Sequence, residues 1–297
     1  MHSESPIFEG VHTRRGAGGL EYLHVRAAAG SALLCLQGAQ LLEYRSAASP
    51  EPLLWVSESA IHRRGHALRG GIPICWPWFG PHPEQAGAPA HGYARISPWS
   101  LQEARRLGDA IALTLRWVAP QDAGEVERLA ELELEVEVGD SLRLRLHTRN
   151  RGPHALRMTE ALHAYLRVGD VRRLRLTGLD GATSVDKLDG MRNSVQRGAL
   201  AFDGPIDRMF VGTESACVVD DPVLRRRIRV SKQGSRSTVV WNPWREGAAA
   251  LPDMREASWD RMLCVEAGNV ERDGLTLPPG ADHVLEAHYQ VLEFPGA

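Results

Sequence analysis

Short runs in which apolar and polar residues alternate dominate the chain. The clearest are residues 131–138 (ELELEVEV) and 142–147 (LRLRLH), which place Leu and Val on one face and mostly charged residues on the other. A period of two predicts half-buried antiparallel strands. Residues 139–141 (GDS), between the runs, have the chemistry of a turn. The two runs therefore predict a β-hairpin.

The register of this hairpin follows from the same residues. Pairing Val138 with Leu142 leaves a three-residue loop and keeps the apolar faces together. A two-residue loop would mix the faces, because a one-residue slip inverts every side chain of a strand. Exposed Glu–Arg pairs contribute only about 0.2–1 kcal/mol each, so they select the register more than they stabilise the fold. The pairs expected in this register are Glu137–Arg143 and Glu135–Arg145.

Many more short runs alternate in this way, and turn residues separate them. Such spacing predicts an all-β sandwich or barrel, and long helical patterns are nearly absent. Because no linker, charge block or repeat divides the chain, we expect one domain over residues 1–297, with 1–19 as a flexible or edge N-terminal segment. Further strands are predicted at 20–26, 32–37, 39–45, 109–118, 155–168 (broken), 172–177, 215–220, 223–231, 236–241, 262–267 and 283–293.

Composition excludes several classes of function. The 297 residues carry a formal net charge of −2, which points to neither a nucleic-acid nor a membrane partner. The densest basic run, Arg225, Arg226 and Arg227 with Arg229, is typical of a solvated strand edge, where charge discourages pairing between sheets.

The four cysteines are widely scattered. Without CxxC spacing they indicate neither a zinc site nor a disulfide framework. No apolar stretch resembles an export signal or a membrane span, so we expect a cytoplasmic protein whose cysteines serve as small core residues. The residues are Cys35, Cys75, Cys217 and Cys264.

Residues 69–81 (RGGIPICWPWFGP) cannot form a regular strand, because the prolines lack donors and the glycines favour unusual backbone angles. Trp76, Trp78 and Phe79 either tuck the loop against the sandwich or form a pocket wall that packs on the C–H face of a sugar. Arg69 favours the pocket, since a guanidinium suits phosphate or carboxylate. The pattern leaves both interpretations open.

A second polar cluster, residues 91–95 (HGYAR), follows a Pro/Gly-rich stretch. An isolated histidine such as His91 is more often structural than functional, and an arginine such as Arg95 is usually a surface charge. The cluster alone does not decide between a structural role and a binding site.

His163 and Glu266 interrupt apolar runs. His163 lies within residues 158–166 (MTEALHAYL), and Glu266 follows the run 262–265 (MLCV). A buried imidazole must be hydrogen-bonded or face a pocket, and a carboxylate at the end of a core strand is costly unless it is paired or used. Each residue alone can be structural. Together they are the components of acid–base chemistry near neutral pH.

Other chemistries have no signature here. The chain contains no GxSxG elbow, Walker loop, HExxH motif or dinucleotide fingerprint in a βαβ setting. We therefore expect neither a cofactor nor a metal.

Taken in order, six segments of the chain resemble the aldose 1-epimerase superfamily, specifically its glucose-6-phosphate 1-epimerase branch. Each segment alone is a weak signal, but six in this order over residues 30–293 identify the chain as a member. The segments are RGGIPICWPWFGP (69–81), HGYAR (91–95), EALHAYL (160–166), VDKLDG with FDGPIDRMF (185–210), VVWNPW (239–244) and MLCVEAGN (262–269).

The resemblance implies a galactose-mutarotase-like β-supersandwich with a cleft on a concave face. It also implies roles for six residues. His163 and Glu266 are the expected catalytic pair, and Asp207 is expected to hold sugar hydroxyls. The remaining substrate contacts are expected from His91 and from Arg69 and Arg95, the two arginines gripping the substrate and its 6-phosphate.

The implied reaction is interconversion of the α and β anomers of a hexose 6-phosphate by ring opening and re-closure. Glu266 is expected to act as base at O1 and His163 as acid at the ring oxygen. The expected partner is a small sugar phosphate, and the expected state is a monomer. Ala90 departs from the family pattern, which often has Gln before the His-Gly pair, so one substrate contact is missing or supplied elsewhere.

Three alternatives remain open. A mutarotase for unphosphorylated aldoses would share the catalytic pair, and a carbohydrate-binding protein without catalysis would share the fold. A glycoside hydrolase is disfavoured, because it usually needs two carboxylates and Asp207 is the only partner the pattern offers to Glu266.

Overall fold

The computed structural model describes residues 5–121, 123–124, 128–254 and 256–295. Strands predominate over these residues, as the alternating pattern predicts. In chain order they are β1 (Ser5–Phe8), β2 (Val11–Arg15), β3 (Glu21–Arg26), β4 (Gly30–Cys35), β5 (Gln40–Ser46), β6 (Ile74–Cys75), β7 (Trp99–Leu107), β8 (Ala110–Trp117), β9 (Ala130–Val138), β10 (Leu142–Asn150), β11 (Leu156–Met158), β12 (Glu160–Leu162), β13 (Tyr165–Arg167), β14 (Arg175–Thr177), β15 (Thr183–Asp186), β16 (Arg192–Val195), β17 (Ile206–Val211), β18 (Cys217–Asp221), β19 (Arg226–Gln233), β20 (Ser237–Asn242), β21 (Met262–Asn269), β22 (Leu275–Leu277) and β23 (Asp282–Glu293).

Helical structure in the described chain is short, as expected. One α-helix, α1, spans Trp244–Ala249. The 3-10 segments are Ala17–Gly19, Ala94–Ile96, Val171–Arg173, Lys187–Asp189, Glu256–Arg261 and Glu271–Asp273. None of these helices is long and apolar enough to cross a membrane.

Antiparallel pairing builds three large sheets, and β11 pairs with β22 as a small fourth. The N-terminal sheet has the order β1-β2-β3-β4-β5. The β10 sheet has the order β14-β18-β19-β23-β10-β9-β8-β7. The β21 sheet has the order β16-β15-β17-β20-β21-β12-β6, and β13 also pairs with β21. The all-β prediction is confirmed.

One large apolar cluster draws on all three large sheets. It includes Leu34 of β4, Leu146 of β10 and Val265 of β21, each fully buried. Burying apolar area of this kind is the main favourable contribution to folding. The cluster packs on one face of the β21 sheet and leaves the opposite face available for polar side chains.

The predicted hairpin register is confirmed. Val138 pairs with Leu142, and the expected Glu–Arg pairs face each other. Arg145 contacts Glu135 at 3.2 Å. The side chain of Arg143 instead turns to Glu286 of β23, at 2.9 Å, because the strand on its other side offers a better-placed carboxylate.

The basic run beginning at Arg225 is not a sheet edge, and that prediction is wrong. β19 lies inside the β10 sheet between β18 and β23. Arg226 is buried, and its guanidinium donates to the backbone carbonyls of Arg167 (2.6 Å) and Glu51 (3.2 Å). Those two carbonyls replace the water that a surface arginine would keep.

In the N-terminal segment, β1 is the edge strand of the N-terminal sheet and β2 lies between β1 and β3. Residues 1–4 lie outside the described residues. Six further strands, β6, β7, β15, β16, β17 and β22, were not predicted. β6 and β22 have only two and three residues, too few to show a period of two, and all four residues of β16 are exposed.

Different residues of the aromatic loop, residues 69–81, fit the two interpretations. Trp76 and Trp78 are buried in the core, and Trp76 meets Trp117 edge-on at 5.0 Å between ring centroids. Phe79 is only partly buried and faces the β21 sheet's polar side. The tryptophans anchor the loop in the core, while Phe79 lies beside the imidazoles of His91 and His163. The four cysteines are buried and unpaired, as expected of core residues.

Candidate functional site

His163 occupies a gap between two short strands that share one neighbour. β12 pairs with the end of β21 and β13 with its beginning, so the gap faces Glu266 between them. The backbone N–H of His163 donates to the carbonyl of Pro73 at 3.0 Å instead of joining a strand ladder. This arrangement brings Nε2 of His163 to 3.3 Å from Oε1 of Glu266.

Both side chains are removed from solvent. The exposed fraction is 7% for His163 and 1% for Glu266. Their 3.3 Å contact lacks the alignment of a hydrogen bond. Both carboxylate oxygens of Glu266 and Nδ1 of His163 have no hydrogen-bond partner among the described residues. Buried polar atoms without partners are rare in folded proteins and point to a functional site.

Burial shifts both titrations toward the uncharged forms. It raises the pKa of Glu266 well above its usual range, and the negative charge of Asp207 adds to the rise. It lowers the pKa of His163 well below 6.5, and nearby His91, Arg95 and Arg69 add to the fall. The form of the pair that burial favours has one proton, on Glu266, and a neutral His163. Such a proton belongs to the pair and can reside on either group.

Aromatic rings surround the imidazole of His163. Tyr165 stacks on it with ring centroids 4.8 Å apart and planes 13° apart. Trp241 approaches edge-on at 6.3 Å, and Phe79 lies at 6.5 Å. Stacking fixes the plane of the imidazole, and the surrounding rings supply apolar surface suited to the C–H face of a sugar.

Strand register places Asp207 on the same face as Glu266. Asp207 pairs with Trp241, which pairs with Cys264, two residues before Glu266. Burial raises the pKa of Asp207, although Lys187 acts against the rise. Nζ of Lys187 lies 2.9 Å from Oδ2 of Asp207.

Arg69 is held in a fixed orientation beside the pair. Its Nε donates to Oδ1 of Asp253 at 3.1 Å, and its Nη1 donates to the hydroxyl of Tyr165 at 3.1 Å. The charge of Asp253 and the hydroxyl of Tyr165 outweigh the effect of burial and raise the pKa of Arg69 further. Its remaining N–H groups are available for an anionic ligand.

His91 and Arg95 belong to the loop that follows the aromatic segment. His91 has a left-handed φ of 63°, and Gly92 follows with a φ of 78°. A Cβ at Gly92 would collide with the backbone carbonyl of Trp76, so only glycine fits there. This tight turn presents the imidazole of His91 to His163, with ring centroids 5.7 Å apart.

The charge around His91 is predominantly positive. Burial lowers its pKa to about 3, and the charges of Arg95, Lys187 and Arg69 add to this effect. His91 is thus uncharged near neutral pH. Its Nδ1 accepts from the backbone N–H of Gly80 at 3.2 Å, which leaves the proton on Nε2.

All six site residues named from the sequence lie close together around the buried pair of His163 and Glu266. Lys187 was not identified from the sequence as a site residue, although it stands in one of the matching segments. Two supporting residues, Tyr165 and Asp253, were also missed. The ion pair between Arg69 and Asp253 joins positions 184 residues apart, so no local pattern reveals it.

One group among the described residues has the composition of a metal site. Ligand atoms of His163, Cys264 and Glu266 lie within 4.8 Å of one another. A thiol must lose its proton to bind a metal, and burial raises the pKa of Cys264 well above 9. The donor set therefore fits a metal poorly, and the absence of a resident metal stays a prediction.

Comparison with known proteins shows the family to which the chain belongs. Residues 22–290 match the family model described as "Aldose 1-epimerase". A protein of Escherichia coli (strain K12) named "Putative glucose-6-phosphate 1-epimerase" is 32% identical over 266 residues, which is 88% of each chain.

Solved structures agree on the fold. One from Salmonella typhimurium, described as a "putative mutarotase", is 28% identical with a TM-score of 0.87 and covers 97% of this chain and 96% of its own. A "galactose mutarotase-like protein" from Clostridium acetobutylicum is 11% identical with a TM-score of 0.70 over 99% of both chains, which bears on the fold alone. The predicted galactose-mutarotase-like fold is confirmed, and the chain belongs to the aldose 1-epimerase family.

Proposed function

We propose that the protein interconverts the α and β anomers of a hexose 6-phosphate, with glucose 6-phosphate as the first candidate. The observation that carries this proposal is the buried pair of His163 and Glu266, 3.3 Å apart and unpartnered on the side of the carboxylate. Acid–base catalysis of ring opening needs one group to accept a proton and another to donate one.

This pair can accept and donate every proton that the reaction moves. Ring opening moves one proton from O1 of the sugar to the ring oxygen and breaks the bond between C1 and that oxygen. In the charged form of the pair, Glu266 accepts the O1 proton and His163 donates its proton to the ring oxygen. The pair is then uncharged, which is the form that burial favours. After the aldehyde end rotates, the two groups exchange roles and the ring re-closes on the other face.

The charged form of the pair is reached by transfer of the shared proton from Glu266 to His163. Sugar hydroxyls can stabilise that form by donating hydrogen bonds to carboxylate oxygens that otherwise have no partner. Asp207 is proposed to accept from a neighbouring hydroxyl, and neutral His91 to donate through Nε2. Both residues would fix the ring above the pair.

Support for a phosphorylated substrate comes from the two arginines. Arg69 is oriented by Asp253 and Tyr165, and Nε of Arg95 is buried without a hydrogen-bond partner in the described residues. Guanidinium groups held in this way suit phosphate oxygens. The name of the Escherichia coli relative supports this assignment.

An unphosphorylated aldose is the second candidate. Arg69 already has a carboxylate partner in Asp253, and Ala90, beside His91, lacks the amide that the family resemblance leads us to expect there. Both features reduce what the loop offers to a phosphate. The catalytic pair would act in the same way on either substrate.

An NMR exchange measurement tests the proposal. Saturation of the α-anomer signal of glucose 6-phosphate should transfer to the β anomer faster with the protein than without it. Replacing Glu266 by Gln removes the base and should reduce kcat/KM by about 10²–10⁴-fold, with a similar loss for His163→Asn. Thermal unfolding of both variants serves as the control for folding. Full activity in folded Glu266→Gln and His163→Asn would reject the mechanism.

A further inference from the structure

Lys187 has a fixed backbone at the edge of the cleft. It begins the single turn Lys187–Asp189 directly after β15. The carboxylate of Asp186 accepts from the backbone N–H of Leu188 at 3.0 Å and pairs with Nε of Arg208 at 2.8 Å. An anchored turn of this kind limits where the lysine side chain can reach.

The ammonium group of Lys187 joins two sides of the cleft. It lies 2.9 Å from Oδ2 of Asp207 on the β21 sheet and 5.7 Å from the ring centroid of Phe79 on the aromatic loop. Phe79 in turn meets His91 edge-on at 4.9 Å. The exposed fractions of the two ion-pair side chains are 33% for Lys187 and 18% for Asp207, so water screens the pair only in part.

The cleft contains two carboxylates that repel each other. Asp207 raises the pKa of Glu266, whereas Lys187 lowers it, with a larger effect than Arg95. Arg69 forms its ion pair with Asp253 and so does not balance the charge of Asp207 and Glu266. Lys187 is therefore the cation placed to balance Asp207 and Glu266.

Because the ion pair is short and spans the cleft, we propose that Lys187 is a positioning residue for the reaction, which holds Asp207 ionised and oriented toward a sugar hydroxyl. Lys187 acts through Asp207 and takes no part in proton transfer. The expected effect on the kinetics rests on the proposed function, whereas the expected effect on the titration of Asp207 does not.

Substitution of Lys187 by Met tests the inference. Without the ammonium, the Asp207 carboxyl should titrate about one pH unit higher, as followed by NMR of carboxyl-labelled aspartate and assigned with Asp207→Asn. The acidic limb of the kcat/KM profile should move in the same direction. One unit corresponds to about a tenfold loss of the ionised form below its pKa.

Three further variants separate positioning from folding. Lys187→Arg keeps the charge and should restore both the titration and the profile, and Lys187→Gln repeats the test if the Met variant folds poorly. Arg192→Met is the matched control, because Arg192 begins β16 just beyond this turn, pairs with exposed Asp189 at 2.7 Å and has a 74% exposed side chain. It should leave both readouts unchanged.

The outcomes separate the two proposals. If the wild-type protein does not accelerate anomer exchange, the proposed function fails, and the Asp207 titration still decides the role of Lys187. An Asp207 titration that is the same in folded Lys187→Met and wild type overturns the inference. An equal shift in Arg192→Met overturns it as well, since the effect would then be general charge and not the ion pair.

Discussion

The arginines of the cleft differ in what holds them. Arg69 is tied to Asp253 and Tyr165, whereas the buried Nε of Arg95 has no hydrogen-bond partner among the described residues. A buried guanidinium N–H with no partner costs free energy unless a ligand accepts from it. Arg95 is therefore the sharper probe of phosphate recognition.

Arg95→Ala should raise the KM for glucose 6-phosphate by about 10–100-fold and change kcat less, since a charge-assisted hydrogen bond contributes about 1.5–3 kcal/mol. Anomer-exchange kinetics at several concentrations measure both constants. Arg64→Ala, an exposed arginine of the same region, should change neither. An equal rise of the KM for unphosphorylated glucose would remove the evidence for a phosphate site.

Functional side chains that interrupt an apolar or alternating pattern can be recognised from the sequence, whereas those that fit the local pattern cannot. His163 and Glu266 are visible because each interrupts an apolar run. Lys187 stands between Asp186 and Asp189 and looks like part of a solvated turn. Its partner Asp207 lies on another strand, so only the pairing of β15 with β17 brings the two together.

At the scale of elements, local pattern decides strand position and register where one face is buried. The register of the β9–β10 hairpin was predicted to the residue for this reason, although the strands extend beyond the predicted runs to Ala130 and Asn150. β16 was missed because all four of its residues are exposed. The position of β19 along the chain was predicted, but its place inside the sheet was not. A basic run has the same period of two on an edge strand and on a central strand.

Arg226 offers a test of that central position. Arg226→Ala leaves the carbonyls of Arg167 and Glu51 without their donor and opens a cavity, so the free energy of unfolding should fall by about 2–4 kcal/mol. Urea denaturation measures the change. Arg229→Ala, on the exposed face of the same strand, should stay within about 0.5 kcal/mol. Equal effects of both substitutions would mean that β19 is solvated.

At the scale of the whole molecule, a buried polar contact joins the two eight-stranded sheets. Nε2 of His283, at the start of β23, lies 3.0 Å from Oε1 of Glu160 in β12. Asn269 of β21 donates to the same oxygen at 2.9 Å. Burial alone would lower the pKa of His283, but the hydrogen bond and charge of Glu160 outweigh it and raise the pKa above 6.5.

This contact should make stability depend on pH in a defined direction. Because the folded state binds the His283 proton more tightly, the contribution is complete below about pH 6.5 and is lost as the pH rises through the folded pKa. Urea denaturation of wild type and His283→Gln should therefore differ more at pH 5.5 than at pH 9. Buried His163 and His91 act in the opposite direction, so the difference between the two proteins is the informative quantity.

His154→Gln is the control, because His154 is exposed. Its difference from wild type should be the same at both pH values. A difference for His283→Gln that grows with pH would show that the imidazole is bound in its neutral form.

The sequence order of the site has a consequence for how its selectivity can change. Arg69, His91 and Arg95 all lie in the single stretch between β5 and β7, whereas Glu266 and Asp207 belong to strands of the β21 sheet and His163 to a gap beside it. The same stretch also contains β6 and buried core residues such as Trp76, so it cannot be exchanged as a whole. The proposed phosphate contacts nevertheless stand apart in sequence from the proposed acid–base pair. Substitutions at Arg95 should therefore be able to change which sugar is accepted without altering the strands that hold His163 and Glu266.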